Sequence, residues 1–519
     1  MKRPFFLLAG LFLSLGTVNA QPVPAEKDSS HADAGKKDDA EKKGDQQDKK
    51  DEKKEDRKVE SKHSVTIGGK KVDYTATAGM ISLKDAEDKA TADIFYIAYV
   101  KDGGDATKRP LTFSFNGGPG SSSVWMHLGL LGPRRVKLNE DGSPVPPPYE
   151  LVDNEWSLLD DSDLVFIDPV STGFSRASKP AEAKKFHGLE SDVDSVAEFI
   201  RLYITRNKRW SSPKFIIGES YGTTRAAALS GELARRHRMN VNGLMLVSTV
   251  LNFQTIREAE GNDLPHVMFL PGFTATAWYH KKLPADLQKL PVEQVVKQAE
   301  AFAGGEYQAA LFKGASLSQA EHKAMAEKLA RFTGLDETFV SRANLRVSMQ
   351  RFAAELLRAE RQVVGRFDGR YKGPVRSQIG SSQEYDPSGT AIMSAYGSCM
   401  NHYLRAELNY EEDRPYEIIA SLGQWDWGAD NSFVNVADTL AASMTENPFM
   451  KVHVSSGYYD LATPRFATHY TFNHLNIAPD LMKNITHDDY AAGHMMYLNI
   501  ADLRKQKSDL SAFIKKSVQ

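Results

Sequence analysis

Short apolar runs alternate with stretches of helical spacing through the first half of this chain. "PLTFSFNGG" and "DLVFIDPV" are compact apolar runs closed by glycine or proline, the pattern of strands buried on both faces. "DVDSVAEFIRLYITRN" carries apolar residues three and four apart and predicts a helix. "PKFIIG" reads as another buried strand, "TTRAAALSGELARRH" as a helix and "NGLMLVST" as the next strand. Strand alternating with helix predicts a mostly parallel sheet with helices on both faces. Ahead of it, "SVTIGGKKVDYTATAGMISL" and "ADIFYIAYV" are rich in β-branched and aromatic residues with Gly-Gly turn signals, and read as antiparallel strands. From about residue 252 to 415 the rhythm becomes mainly helical, as in "SQAEHKAMAEKLARF" and "NLRVSMQRFAAELLRAERQ". "KVHVSSGYYD" then resumes the strand pattern. The expected layout is an α/β fold whose first part spans residues 63–251 and whose second part spans 416–519, with a mainly helical insertion over 252–415.

The first twenty residues, "MKRPFFLLAGLFLSLGTVNA", join a short basic start to an apolar run and a small-residue ending. This is the pattern of a secretory signal peptide cleaved after Ala20; the apolar run is short for a bilayer span. Residues 21–62 are dominated by charged and small polar residues, lack the apolar content to offset ordering entropy, and are expected to form a disordered charged linker. No later stretch is apolar for long enough to cross a bilayer. A formal net charge of −2 over 519 residues gives no reason to expect a nucleic-acid partner. One cysteine, Cys399, cannot form an intramolecular disulfide. Export without disulfides points to a periplasmic or secreted protein. Oligomeric state cannot be read from the sequence.

Chemistry enters with "FIIGESYGTTRAAALSG", residues 215–231, where a predicted strand meets a predicted helix. Residues 218–222 fit G-x-S-x-G. A serine on so sharp a turn projects its hydroxyl from the sheet, and glycines two residues before and after it relieve the crowding. The following helix turns its N-terminus toward Ser220 and favours developing negative charge there. Such a nucleophile needs a base and an orienting acid, which in α/β-hydrolases follow in the order serine, acid, histidine. Asp460 stands just past a late strand, and His494 in a glycine-flanked loop. His487 and Asp488 compete for the same roles.

Five segments together resemble the serine carboxypeptidase family, peptidase family S10. "FSFNGGPGSSSVWMHLGLLGPRRV" is similar to its NGGPG-x-SS signature followed by LGP, and "LVFIDPVSTGFS" resembles a further family segment, one residue short near the proline. "GESYG" matches the nucleophile motif in full, "GYYDLATP" resembles the aspartate loop and "AGHMMY" the histidine loop. These lie within residues 113–497 in the family's order. The resemblance implies an α/β-hydrolase fold with a helical cap, Ser220 as nucleophile, His494 as general base and Asp460 as its partner. It implies an oxyanion hole from the backbone N–H groups of Gly118 and Tyr221. It also implies that Asn116, Gly117 and a protonated Glu219 hold the terminal carboxylate of a peptide with a free C-terminus, with neither cofactor nor metal. Two positions depart from the pattern: Leu130 stands where the family has a second glutamate, and Ser121 where its signature often has cysteine. The expected function is a serine-type carboxypeptidase acting through an acyl-enzyme. The alternatives are an esterase or acyltransferase using the same triad and, further off, a non-catalytic binding protein on the hydrolase scaffold.

Overall fold

The computed structural model describes residues 57–519. The expected signal segment, residues 1–20, and residues 21–56 of the charged stretch lie outside the described residues. The remainder of that stretch corrects the expectation of a linker reaching residue 62. Lys58–Ile67 is a strand, β1, paired antiparallel from Lys58 opposite Gly79 to Ile67 opposite Lys70. Its lysines and glutamate alternate outward while Val65 and Ile67 are buried. Charge on the outer face of an edge strand discourages pairing with a further chain, and in sequence it is easily mistaken for a solvated linker.

The central sheet continues through β2 (Lys70–Lys84), β3 (Ala90–Lys101), β4 (Leu111–Phe115), β5 (Asp163–Ile167), β6 (Lys214–Glu219), β7 (Gly243–Val247), β8 (Lys451–Gly457) and β9 (Ile485–Tyr490). Their order across the sheet is β1-β2-β3-β5-β4-β6-β7-β8-β9. The first three strands and the β3–β5 pairing are antiparallel; from β5 to β9 every pairing is parallel. The polar strand β9, "ITHDDY", has no apolar pattern to announce it and is recruited by its register against β8.

The principal helices are α1 (Leu189–Arg206), α2 (Tyr221–His237), α3 (Leu264–Tyr279), α4 (Gln319–Thr333), α5 (Met349–Glu355), α6 (Pro387–Ala406) and α7 (Ile500–Ser517). Side chains of the buried strands alternate between two cores. Phe215, Ile217, Met245 and Val247 pack on the face covered by α6 and α7, whereas Ile216, Leu244 and Leu246 pack on the face covered by α1 and α2. A third cluster, formed by α3 to α5 and the short helices between them, includes Leu461 just beyond β8. This is the helical cap. Helix α6 does not belong to it: Ile392, Tyr396, Met400 and Tyr403 join Tyr99 and Met126 in a sheet core. Helical spacing alone cannot tell a cap helix from one that covers a sheet. The stretch "NLRVSMQRFAAELLRAERQ" is also less helical than its spacing predicts, with α5 starting after the cap residue Ser348 and Arg361 in the left-handed region.

Candidate active site

The end of β6 places Ser220. Its backbone has φ 60° and ψ −131°, a region a non-glycine residue occupies only when its surroundings enforce it. A Cβ on Gly218 would lie 2.2 Å from the carbonyl oxygen of Gly222, so the turn closes only with glycine there. Helix α2 begins at Tyr221, and its free N–H groups face the region of the half-buried serine.

Parallel register brings the other loops to the same edge. The N–H of Ser220 donates to the carbonyl of Val247 at 3.0 Å, and the hydroxyl of the next residue, Ser248, donates to the carbonyl of His494 at 2.6 Å. Two consecutive residues at the end of β7 thus tie the serine turn to the histidine loop. Past β8, Asp460 is almost fully buried, and its carboxylate accepts from Ala462 N–H at 2.7 Å, Thr463 N–H at 2.9 Å and the Thr463 hydroxyl at 2.8 Å. His494 Nδ1 lies 2.8 Å from Asp460 Oδ2. A carboxylate can only accept, so Nδ1 carries the hydrogen and Nε2 keeps its lone pair. Burial opposes the imidazolium, but the charge and hydrogen bond of Asp460 outweigh it and hold the His494 pKa above 6.5. The imidazole therefore gains basicity from its partner.

His487 sits elsewhere. It lies on β9 opposite Val454, with its ring 5.0 Å from His469 and 5.1 Å from Phe472, and burial pushes its pKa down to about 4. Asp488 faces His453 and Lys505, at 3.7 and 3.5 Å. The structure thus pairs Asp460 with His494.

The turn after β4 completes the edge. A Cβ on Gly117 would fall 2.5 Å from the backbone N of Tyr221, so this turn lies directly against the start of α2. Gly118 has φ +103°. The two expected oxyanion donors therefore belong to adjoining backbone segments. The fully buried Arg225 guanidinium fastens them: it donates to the Asn116 carbonyl at 2.8 Å and to Asp192 Oδ2 at 2.7 Å, and the Tyr221 hydroxyl donates to the same Asp192 oxygen at 3.1 Å. Trp425 and Trp427 pack edge-on against the Tyr221 ring, at 5.6 and 5.9 Å.

Asn116 Nδ2 donates to Glu219 Oε1 at 2.9 Å, and Tyr497 Oη lies 2.6 Å from Oε2. Burial raises the Glu219 pKa to about 7 despite these two bonds. Leu130 is buried among apolar side chains.

One segment that touches the site was missed in sequence. "GRFDGRY", residues 365–371, reads there as a turn-rich piece of the cap. In the structure it straps the loops that carry Asp460 and His494. The carbonyls of Arg366 and Phe367 accept from Leu461 N–H at 3.1 Å and His494 N–H at 2.6 Å, and Gly369 N–H donates to the Tyr459 carbonyl at 2.9 Å. Asp368 Oδ2 accepts from Gly493 N–H at 3.1 Å, Arg370 holds Asp368, and the Phe367 ring lies 5.2 Å from the His494 ring. The closely spaced glycines and charges were the available signal, but they do not name their partners. Among the described residues, no group of three His, Cys, Asp or Glu side chains is placed to hold a metal ion, and no helix is long and apolar enough to cross a membrane.

Comparison with known proteins adds an independent line. The serine carboxypeptidase family model, Peptidase S10, matches residues 68–501. Serine carboxypeptidase-like 35 of Arabidopsis thaliana is 26% identical over 221 residues, 38% of this chain and 44% of that protein. Pheromone-processing carboxypeptidase KEX1 of Saccharomyces cerevisiae is 35% identical over 156 residues, 28% of this chain and 20% of that protein. The chain thus spans less than half the length of these relatives. Similar solved structures include a carboxyl esterase from Bacillus coagulans, with a TM-score of 0.36 at 10% identity, covering 85% of this chain and 98% of that one. A monoglyceride lipase variant from Saccharomyces cerevisiae also has a TM-score of 0.36 at 10% identity, covering 85% of this chain and 96% of that one. The family match extends over most of the sequence and includes the elbow, the acid loop and the histidine loop: the chain belongs to the serine carboxypeptidase family.

Proposed function

We propose that the chain is a serine-type carboxypeptidase that releases C-terminal residues from peptides through an acyl-enzyme. Ser220 Oγ attacks the last peptide carbonyl as His494 Nε2 takes its proton. The oxyanion of the tetrahedral intermediate is held by the backbone N–H groups of Gly118 and Tyr221. His494 then gives the proton to the leaving amine, the C–N bond breaks, and an ester to Ser220 remains. Water repeats the sequence: His494 accepts its proton, the hydroxide adds to the ester, and the serine leaves reprotonated. Asn116, Gly117 and neutral Glu219 bind the terminal carboxylate. An acid can face a carboxylate only while it keeps its proton.

The observation that carries this reading is the 2.8 Å bond from His494 to Asp460, on a loop tied through Ser248 to the strained serine turn. The test pairs fluorophosphonate labelling of the wild type and Ser220→Ala with turnover of blocked dipeptides bearing a free or an amidated C-terminus. Labelling that survives Ser220→Ala sinks the nucleophile; equal turnover of acid and amide sinks the exopeptidase. The second outcome would favour an esterase or acyltransferase, a reading supported by the apolar burial of Leu130. The pattern of residues 1–20 further supports export to the periplasm or beyond, with maturation after Ala20. N-terminal sequencing of the protein recovered outside the cytoplasm, starting elsewhere than Gln21, would contradict that.

A further inference from the structure

Both oxygens of the Glu219 carboxyl are engaged, and the two partners are not equivalent. Oε1 accepts a hydrogen bond from Asn116 Nδ2, while Asn116 Oδ1 accepts from the Met126 N–H. Oε2 faces the Tyr497 hydroxyl at 2.6 Å, and a hydroxyl can donate or accept. A carboxylate can only accept, so the hydroxyl donates to the ionised acid, and a neutral Glu219 that accepts both bonds keeps its own proton for a substrate carboxylate.

Tyr497 is built into this position. It lies three residues after His494, in the single helical turn Met496–Leu498, and is 2% exposed. Gly129 makes room for it, because a Cβ there would lie 2.5 Å from the tyrosine ring. The adjacent Leu130 side chain belongs to the apolar core and brings no polar group to the carboxyl.

We propose that Tyr497 is a positioning and specificity residue for substrates ending in a free carboxylate: through its bond to Glu219 Oε2 it orients that acid and sets the pH above which the site rejects an anionic substrate end. The inference rests on the carboxypeptidase reading above. The other charged or titratable groups around Glu219 are His494 and Asp460 from the two triad loops and Tyr396 from α6. Burial is the largest influence and raises the Glu219 pKa; the His494 charge and the hydrogen bonds from Tyr497 and Asn116 act against it.

The test is Tyr497→Phe, which keeps the ring and removes the hydroxyl. The quantity measured is kcat/KM against pH on a blocked dipeptide and on its C-terminal amide. Loss of a donor to the ionised form raises the Glu219 pKa, so the alkaline limb on the free acid should move up by about one unit, the size of one charge-assisted hydrogen bond. KM for the free acid should rise roughly fivefold or more as the carboxyl loses its orientation, while kcat changes less. The profile on the amide should not move. An unmoved limb, with kcat and KM altered alike on both substrates, would make Tyr497 a packing residue and overturn the proposal. Should Tyr497→Phe fail to fold, a fluorotyrosine at position 497 keeps the shape, strengthens the donor and should move the limb downward; no movement overturns the proposal equally. Infrared difference spectra against Glu219→Gln read the neutral carboxyl without substrate. If wild-type enzyme treats acid and amide alike, the carboxypeptidase reading fails; if the carboxyl band titrates identically with and without the Tyr497 hydroxyl, the Tyr497 inference fails on its own.

Discussion

On the proposed function, two buried side chains at the C-terminal edge of the sheet must both be neutral for turnover, His494 by having lost a proton and Glu219 by keeping one. His494 acts as a base only when neutral, and Asp460 holds its pKa above 6.5 against the effect of burial. Activity should therefore rise with pH through that raised value. Glu219 binds a carboxylate only when protonated, and burial raises its pKa to about 7. Binding should be full below that value and fall as pH increases through it. Glu219→Gln keeps a neutral donor that cannot ionise, so the alkaline limb of kcat/KM on free-acid substrates should vanish while the acidic limb stays. A profile from pH 5 to 9 measures this, and an unchanged alkaline limb would exclude Glu219 as its source. The two histidines are separated just as directly. His494→Ala should lower kcat by on the order of 10⁴ or more, whereas His487→Ala, set against His469 and Phe472, should leave it within about threefold. The reverse ranking in steady-state kinetics would overturn the assignment.

Elements matter here as holders of loops. Strands β6, β7 and β8 lie side by side in parallel, so the segments leaving their C-terminal ends must meet, which is where ligands bind in open α/β sheets. The strap at residues 365–371 adds a constraint from the cap side, bonding the segment after β8 and the loop carrying His494 at once. Gly493 packs tightly against the strap: a Cβ there would fall 2.4 Å from the Asp368 Cβ. Gly493→Ala should push the histidine loop off its strap and lower kcat by about 100-fold with little change in KM, since a displacement of about 1 Å suffices for such a loss. Stopped-flow acylation with an activated ester measures it. A rate within a few-fold of wild type would show that the strap does not position the base.

Over the whole molecule, stability and chemistry draw on different parts of the chain. The sheet is closed on one face by α1 and α2 and on the other by α6 and α7, while the cap has a core of its own that reaches Leu461 beside Asp460. Strand β1 belongs to the sheet from Lys58 onward. A chain starting at residue 63 should therefore melt lower than one starting at 57, by on the order of a few degrees, with its triad chemistry intact. Differential scanning calorimetry and active-site titration check the two halves of that statement; equal melting temperatures would show that the first half of β1 adds no stability.

Buried strands, the elbow and the chain order of its partners were legible along the sequence because each is a local pattern: an apolar run of strand length, glycines two residues either side of Ser220, a serine–acid–histidine order. These determined the α/β layout and the candidate residues. Local pattern could not rank His494 over His487, since both are histidines near late strands, and only pairing in space joins one of them to Asp460. Nor could it find β9, whose polar side chains carry no periodic signal, or assign α6, whose helical spacing is the same on a sheet as in a cap. The strap at 365–371 and the Tyr497–Glu219 bond were decided by tertiary structure alone. Hydrogen bonds between residues so far apart along the chain leave no mark on either sequence neighbourhood, because each partner's local preference is met by many folds and only the packed core brings the two within reach.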